Sequence, residues 1–164
     1  MSDYFVGIDP GITGAVAVHR IGRSEAITIT DTPFVEVKKG KSLRKIYLYR
    51  EMADLLRTLP QDAVVYIEDV HAMPKNGGLS SFGMGYGKGI WMGVLAALKI
   101  NPILVSPQRW KKHFGLLGED KDASRIKAIQ KYPALMPVLK LKKHCDRADA
   151  LLIMEYGRAI EGSK

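Results

Sequence analysis

Short runs of apolar residues alternate with turn-forming residues along the first part of the chain. Two of these runs are separated by a segment that includes Pro10, Gly11 and Gly14, a composition typical of a tight connection between antiparallel strands. Later runs are rich in β-branched side chains, which favour extended structure. Strands are predicted over residues 4–8, 15–18, 26–30, 63–67 and 103–105.

The segments between the later runs carry apolar residues at a helical spacing instead. Residues 43–59 have them three and four positions apart, and Pro60 ends the pattern. Residues 90–98 predict an apolar helix, whereas residues 71–89 before it are rich in glycine and hold few strong helix formers. Further helices are predicted from Ser106 and Pro107, from Asp120 or Asp122, and over residues 145–160.

Strands and helices in this order predict an α/β fold, with a mixed five-stranded sheet flanked by α-helices. The chain of 164 residues has the length of one domain and contains no internal repeat or low-complexity linker. We therefore expect residues 1–164 to form a single domain. A chain of this length buries enough surface to fold without disulfide bonds.

Charge and cysteine content narrow the kinds of partner and compartment. The chain holds 25 Lys and Arg against 17 Asp and Glu, which favours nucleic acid as a partner, although a merely basic protein would show the same balance. Cys145 is the single cysteine, which excludes an intramolecular disulfide and a cysteine-rich zinc site. Because there is no apolar stretch of membrane length and no leader-like start, we expect no membrane partner and a cytoplasmic location, in the host cell if a phage encodes the chain.

Against this basic background, carboxylates stand at the ends of two predicted strands. Asp9 follows the first strand, and Glu68 follows the strand over residues 63–67. If these strands are neighbours, both acids lie together, and a buried carboxylate is costly unless it is paired or bound to a metal. The alternative for Asp9 is a turn residue that caps its own backbone. Asp69 points to the opposite face by strand alternation, so we assign it to a supporting or surface role.

A second pair of acids, Asp146 and Asp149, lies three positions apart on one face of the last predicted helix. Like charges at this spacing repel unless a cation lies between them, although both acids could instead interact favourably with the helix dipole. Together with Asp9 and Glu68, they predict a centre of two Mg²⁺ ions, for which Mn²⁺ would substitute. Such a centre activates water for attack on a phosphodiester, which indicates a nuclease.

The motifs that contain these acids resemble those of a known family. GIDPG at residues 7–11, IED at 67–69 and DRADA at 146–150 are similar to the motifs of RuvC-type Holliday junction resolvases, in the retroviral integrase and RNase H-like superfamily. The segments EDVHAMPKNGGLSSFGMGYG and VSPQRWKKHFGL, followed by Lys121 and Ser124, are similar to a branch found in phages, bacteria and plant chloroplasts. The resemblance covers nearly the whole chain.

The resemblance implies an RNase H-like fold and a structure-selective endonuclease that makes symmetric nicks in four-way junction DNA. We expect the nicks to leave 5′-phosphate ends. In this family four acids bind two Mg²⁺ ions, which implies that role for Asp9, Glu68, Asp146 and Asp149. It also implies that Lys121, and Lys111 or Lys112, lie near the scissile phosphate, and Lys121 is counted with the catalytic residues.

A four-way junction has two-fold symmetry and needs paired incisions, so we expect a homodimer that uses residues 90–98 as its interface. Glycines between residues 77 and 89 let a backbone approach phosphates, and aromatic rings there offer faces for unstacked bases. Trp91 could serve in this way or pack in the core. The residues expected to contact DNA are His71, Met73, Asn76, Ser80, Ser81, Phe82, Tyr86, Lys88, Arg109, Lys111, Lys112, Lys121, Ser124, Lys143 and Arg147.

Two other functions fit part of the sequence. Residues 7–14 resemble the phosphate loop of an actin-like ATPase or sugar kinase, but those proteins need two such lobes and this length allows one. A protein that grips branched DNA without cutting it would share the basic charge. The four acids argue against that second alternative, because binding alone does not need them.

Overall fold

The computed structural model describes residues 2–22, 26–71 and 77–163, and each of the five predicted strands is found in it. The strands are β1 (Tyr4–Asp9), β2 (Ala15–Arg20), β3 (Ala26–Asp31), β4 (Phe34–Lys39), β5 (Ser42–Tyr47), β6 (Val64–Glu68) and β7 (Ile103–Val105). The helices are α1 (Tyr49–Arg57), α2 (Gly78–Ala97), α3 (Pro107–His113), α4 (Ala123–Lys131) and α5 (Cys145–Glu161). Short 3₁₀ turns cover Pro133–Val138 and Lys142–His144.

The main sheet has the strand order β3-β2-β1-β6-β7. β1, β2 and β3 form an antiparallel meander, and β6 and β7 are added parallel to β1. The predicted mixed five-stranded sheet with flanking helices is therefore confirmed. Since β1, β6 and β7 run in the same direction, their carboxyl ends lie at one edge of the sheet.

Alternate side chains of the central strands pack into two hydrophobic cores, one on each face of the sheet. Val6 and Ile8 pack with the buried residues of α1 and α2. Phe5 and Ala17 pack on the other face with the buried side of α5 and with parts of α3 and α4. The sheet is thus covered by helices on both faces. In the described part of the chain, no helix is both long enough and apolar enough to span a membrane.

Gly7 brings α5 into direct backbone contact with β1. A Cβ atom at this position would overlap the carbonyl oxygen of Ala150 and the backbone nitrogen of Met154. No side chain therefore separates the strand from the helix here. The start of α5 is held beside the end of β1 by this close approach.

A hairpin formed by β4 and β5 replaces the first part of the helix that was predicted over residues 43–59. β5 pairs antiparallel with β4, and Gly40 at the turn has a φ of 62°, which a glycine adopts without strain. Leu43, Ile46 and Tyr47 are spaced as in a helix, but pairing with β4 overrides that spacing. The predicted helix is wrong here, and α1 begins only at Tyr49.

α2 begins twelve residues before the helix that was predicted over residues 90–98. The prediction failed because the glycines of this segment have a low intrinsic helix propensity. One of them, Gly87, is buried where a Cβ atom would overlap the Tyr47 hydroxyl and the Pro10 carbonyl oxygen. Packing against the hairpin and the β1–β2 turn therefore favours a helix that the local sequence disfavours.

Replacing Gly7 with Ala is expected to destabilise the protein by roughly 3 kcal/mol, because β1 and α5 must separate to admit the methyl group. Urea unfolding followed by circular dichroism measures this change. Gly78→Ala is the matched control, since a Cβ atom there meets nothing within 4 Å. Equal stability of the two variants would contradict the close approach.

Candidate metal centre and nucleic-acid interface

Three acids meet where β1 ends and α5 begins. Ligand oxygens of Asp9, Asp146 and Asp149 lie within 4.8 Å of one another. Asp9 ends β1, and the other two lie in the first turns of α5, which Gly7 allows to pack directly on that strand. The structure thus brings together acids that are 137 to 140 positions apart in the sequence.

Glu68 lies beside this three-acid group. It ends β6, the parallel neighbour of β1, and its charge is the largest electrostatic contribution that raises the pKa of Asp9. The indole Nε1 of Trp110 donates a hydrogen bond to Glu68 Oε1 at 2.9 Å. All four predicted acids therefore lie at the same edge of the sheet.

Burial makes this centre unfavourable for negative charge. Desolvation, followed by the charge of Glu68, raises the pKa of Asp9 well above its ordinary value. Desolvation also raises the pKa of Asp149 to about 6, with further contributions from Glu68 and Asp146. The surrounding protein therefore supplies too little positive charge to stabilise the ionised forms of these acids.

The acids fit a hard divalent cation. Asp149 Oδ1 is buried, and no hydrogen-bond partner for it exists among the described residues. A buried oxygen without a donor is costly unless a cation compensates it. Carboxylate oxygens are the ligands that Mg²⁺ and Ca²⁺ prefer, and no cysteine or histidine belongs to the group of three acids.

Neutral donors fix the remaining carboxylates of the centre. The Gly11 N–H donates to Asp9 Oδ1 at 3.1 Å, so Asp9 also makes the backbone cap that was its alternative role. The Thr13 hydroxyl donates to Asp146 Oδ2 at 2.7 Å. The buried Ser124 hydroxyl donates to Asp149. Ser124, predicted to contact DNA, thus already supports one of the acids.

Two lysines lie at the border of the acid centre. Lys121 Nζ is 3.4 Å from Asp146 Oδ1, and its side chain remains 79% exposed. Desolvation raises the pKa of both Glu68 and Asp149, and Lys111 is close enough for its charge to offset part of that rise. Lys121, and either Lys111 or Lys112, were predicted to lie near the scissile phosphate, and the structure places Lys121 and Lys111 next to the acids.

Asp69 has a separate set of partners, as strand alternation suggested. It accepts hydrogen bonds from Lys88 and from His71, with His71 Nε2 at 3.0 Å from Asp69 Oδ2. His71 and Lys88, both predicted to contact DNA, are therefore anchored by one carboxylate. The hydrogen bond from Lys88, which is the larger effect, and the one from His71 lower the pKa of Asp69.

Arg147, also predicted to contact DNA, makes an ion pair within the protein. Its Nε and Nη2 atoms each lie 2.6 Å from a carboxylate oxygen of Asp31, and its Nη1 donates to the Val138 carbonyl. This bidentate pair ties the first turn of α5 to the end of β3. Contact between Arg147 and DNA remains a prediction.

An aromatic cleft of about 730 Å³ lies between the β4–β5 hairpin and the N-terminal half of α2. Phe82 and Tyr86 stack with their rings 8° from parallel, and 69% of Phe82 is exposed. The Tyr49 and Tyr86 hydroxyls share a hydrogen bond of 2.7 Å. Gly11, two residues from Asp9, also lines the cleft, which therefore adjoins the acid centre.

Sequence reasoning found one wall of this cleft and missed the other. Phe82 and Tyr86 were predicted to face bases, whereas Tyr47 and the β4–β5 hairpin that carries it were not predicted. The sequence feature that could have predicted the hairpin is the pair of runs on either side of Gly40, both of which contain basic and β-branched residues. Trp91 is fully buried, so it packs in the core.

The remaining predicted DNA contacts lie near the surface or outside the described residues. Ser80, Arg109, Lys112 and Lys143 are exposed, and Ser81 is partly exposed. Met73 and Asn76 lie outside the described residues. Contact between each of these positions and DNA stays a prediction.

Comparisons with known proteins agree with this architecture. No family model matches the chain. Over 92 residues, 56% of its length, the chain is 35% identical to the chloroplastic Holliday junction resolvase MOC1 of Chlamydomonas reinhardtii, and the match covers 10% of that longer protein. Two structures of Thermus thermophilus RuvC, one in complex with a Holliday junction substrate, each align with 96% of this chain at a TM-score of 0.56.

The chain has the RNase H-like fold of RuvC. The two alignments cover 94% and 95% of the RuvC chains at 15% and 16% identity, so they establish the shared fold. The resemblance to RuvC-type proteins that the motifs indicated is confirmed by this fold and by the MOC1 segment. The chain spans only about a tenth of the length of MOC1, the curated relative that it matches.

Replacing Asp149 with Asn is expected to stabilise the metal-free protein above pH 6. In the folded protein the pKa of Asp149 is about 6, whereas its ordinary value is 3.8. Between these two pH values the folded state keeps a proton on Asp149 that the unfolded state loses, so the folded protein becomes less stable as the pH rises from 3.8 to 6. The gain is therefore up to about 3 kcal/mol above pH 6 and absent below pH 3.8. Urea unfolding in EDTA at both ends of this range measures it.

Asp62→Asn is the control for this prediction, because Asp62 is exposed and precedes β6, at the end of that strand opposite to Glu68. Its stability is expected to follow that of the unmodified protein at every pH. If Asp149→Asn gives no gain at pH 7.5, burial of the charged carboxylate is not costly and the electrostatic description of the centre is wrong.

Proposed function

We propose that the protein is a Mg²⁺-dependent, structure-selective endonuclease that resolves Holliday junctions by symmetric nicks and leaves 5′-phosphate ends. The observation that carries this proposal is the convergence of partly buried acids at the carboxyl edge of the sheet. The RuvC fold and the segment shared with MOC1 support the substrate class. The net charge of +8 supports nucleic acid as the partner.

Asp9, Glu68, Asp146 and Asp149 would hold the Mg²⁺ ions. When bound, these ions would lower the pKa of a water molecule and neutralise charge on the phosphate oxygens. The residues themselves are fixed beforehand, because neutral donors hold an oxygen of each acid. Pre-arranged ligands reduce the reorganisation needed when substrate arrives.

Lys111 and Lys121 would contact the phosphates next to the acids. Both lysines lie at the border of the centre, and most of the Lys121 side chain reaches solvent. A phosphodiester entering a cluster of carboxylates is repelled unless cations compensate. The two ammonium groups therefore favour the approach of DNA to the centre.

The aromatic cleft supports a substrate with unstacked bases. Duplex DNA keeps its bases paired and stacked, whereas the centre of a four-way junction exposes bases that can stack on a protein ring. Phe82 and Tyr86 offer such rings beside the acid centre. Arg44 and Lys45, which also line the cleft, place positive charge at its border.

Asp9→Asn is expected to lower the rate of junction cleavage by at least about a thousandfold, because the central acid loses its charge. Junction binding should change by less than about threefold, since most binding energy comes from phosphate contacts. Cleavage of a labelled four-way junction in Mg²⁺ and a gel-shift assay in Ca²⁺ measure the two quantities.

Asp62→Asn serves as the control and should cleave normally. Retained cleavage by Asp9→Asn would show that the metal assignment is wrong. If the unmodified protein binds the junction but does not cut it at any salt concentration, the second alternative, a non-cleaving DNA-binding protein, replaces the nuclease.

We further propose that the protein acts as a homodimer through α2. Within residues 90–98 only Trp91 and Leu95 are buried, so one face of the helix remains exposed. That face carries Gly85, Gly89 and Gly93 at four-residue spacing, and a Cβ atom at each would meet nothing within 4 Å. Small residues allow two helix backbones to approach closely, and a two-fold pair would match the symmetry of a junction.

Gly89→Leu is expected to weaken the dimer by at least tenfold, because the new side chain separates the facing helices. Sedimentation velocity measures the association. On a supercoiled plasmid with a cruciform, uncoupled nicks should yield nicked circles in place of linear DNA. Gln130→Leu, an equal increase in apolar surface on the exposed side of α4, should leave both measurements unchanged. An unchanged dimer in Gly89→Leu would rule out this interface.

A further inference from the structure

Trp110 is a buried residue that contacts the acid centre. It lies on α3, which begins at Pro107 directly after β7, and its ring is fully buried in the core beneath α5. Its one polar atom, Nε1, points out of this core and donates to Glu68 Oε1 at 2.9 Å. The ring thus joins the apolar core to one of the four acids.

The second tryptophan of the chain shows that this contact is not a consequence of burial. Trp91 is buried to the same extent, in the core on the opposite face of the sheet. Its Nε1 has no hydrogen-bond partner among the described residues. Burial alone therefore leaves an indole N–H without a partner here, whereas Trp110 directs its N–H at a carboxylate.

The indole is well suited to fix a metal-binding carboxylate. A hydrogen bond to an ionised acceptor is stronger than one between neutral groups, and a ring packed on all sides cannot turn away. The donor is also neutral, so it holds the acid without competing electrostatically with a cation. Oε2 of Glu68 is left outside this bond and is available as a ligand.

Two other acids of the centre also accept from neutral donors, although Asp146 has the charged Lys121 as a further partner. Asp146 accepts from Thr13, and Asp149 accepts from Ser124, both of which are neutral hydroxyl donors. Trp110 differs from them because it has no hydroxyl to rotate and no second hydrogen-bonding role. The ammonium group of Lys111, at the border of the centre, also lies over the Trp110 ring, with its Nζ atom 5.3 Å from the ring centroid.

We propose that Trp110 is the positioning residue for Glu68: its indole N–H holds the carboxylate in the orientation that binds the metal ion. This inference rests on the proposed metal centre but not on the identity of the DNA substrate. Groups of this kind behind metal ligands typically change metal affinity by 10- to 100-fold when they are removed.

The test compares Trp110→Phe with Trp91→Phe by isothermal titration calorimetry with Mn²⁺ in the absence of DNA. Trp110→Phe keeps an aromatic ring in the core but removes the donor, and it is expected to bind Mn²⁺ at least tenfold more weakly. Trp91→Phe loses a comparable amount of buried surface without losing a hydrogen bond, so its Mn²⁺ affinity should stay within twofold of the unmodified protein. Equal effects in both variants, or none, would overturn the proposal.

A double-mutant cycle with Glu68→Gln separates positioning from a general loss of packing. Once Glu68 is replaced, Trp110→Phe should cause less than a twofold further loss of Mn²⁺ affinity. A further tenfold loss in this background would mean that Trp110 acts elsewhere, and the proposal would fail.

A measurement on the unmodified protein covers the case in which Trp110→Phe does not fold. The chain has two tryptophans and therefore two indole N–H resonances, which the Trp91→Phe spectrum assigns. Titration with Mg²⁺ should shift the Trp110 resonance and leave that of Trp91 in place. No shift of the Trp110 resonance at saturating Mg²⁺ would contradict the proposal.

These results are independent of cleavage. If the unmodified protein cuts junctions and Trp110→Phe binds metal normally, the positioning role fails while the proposed function stands. If the unmodified protein cuts no branched DNA but Trp110→Phe still loses metal affinity, the function fails while the positioning role stands.

Discussion

The direct packing of α5 on β1 at Gly7 is the contact on which the candidate centre depends. Without a side chain between the two backbones, the first turns of the helix lie beside the last residue of the strand. Asp146 and Asp149 then share one small volume with Asp9. A wider separation of helix and strand would move these oxygens apart and remove the group that can hold a cation. The site is therefore a consequence of how the core packs.

This packing creates an electrostatic conflict that the fold does not resolve internally. Desolvation and the charges of the neighbouring acids raise the pKa of Asp9 and Asp149, and the donors that reach the centre are mostly neutral. By contrast, Glu155, a buried acid farther along α5, is fully compensated by Arg158, Lys131 and Tyr132, which lower its pKa. The same helix thus carries one acid, Glu155, whose charge the protein balances, and another, Asp149, whose charge it leaves for a ligand. That difference separates a structural ion pair from a candidate metal centre.

The sequence predicted the acid centre better than it predicted the surroundings. Asp9 and Glu68 follow strands that local patterns identify, and the helix with Asp146 and Asp149 has a clear apolar period, so each position follows from nearby residues. The aromatic cleft was missed in part because it depends on pairing between β4 and β5 and on the packing of Gly87 against Tyr47. Such contacts between separated segments override local propensity. The hydrogen bond from Trp110 to Glu68 depends on side-chain direction, which sequence periodicity does not resolve.

If the proposed function holds, the opposite charges of the centre and of the whole chain would make the binding of metal and the binding of DNA depend on each other. The net charge of +8 attracts a polyanion, yet the acids repel a phosphate that comes close enough to react. Lys111 and Lys121 offset part of this repulsion from the border of the centre. A divalent cation held by the acids would offset the rest. Each partner therefore lowers the electrostatic cost of binding the other, which favours a centre that is fully assembled only when DNA and metal are both present.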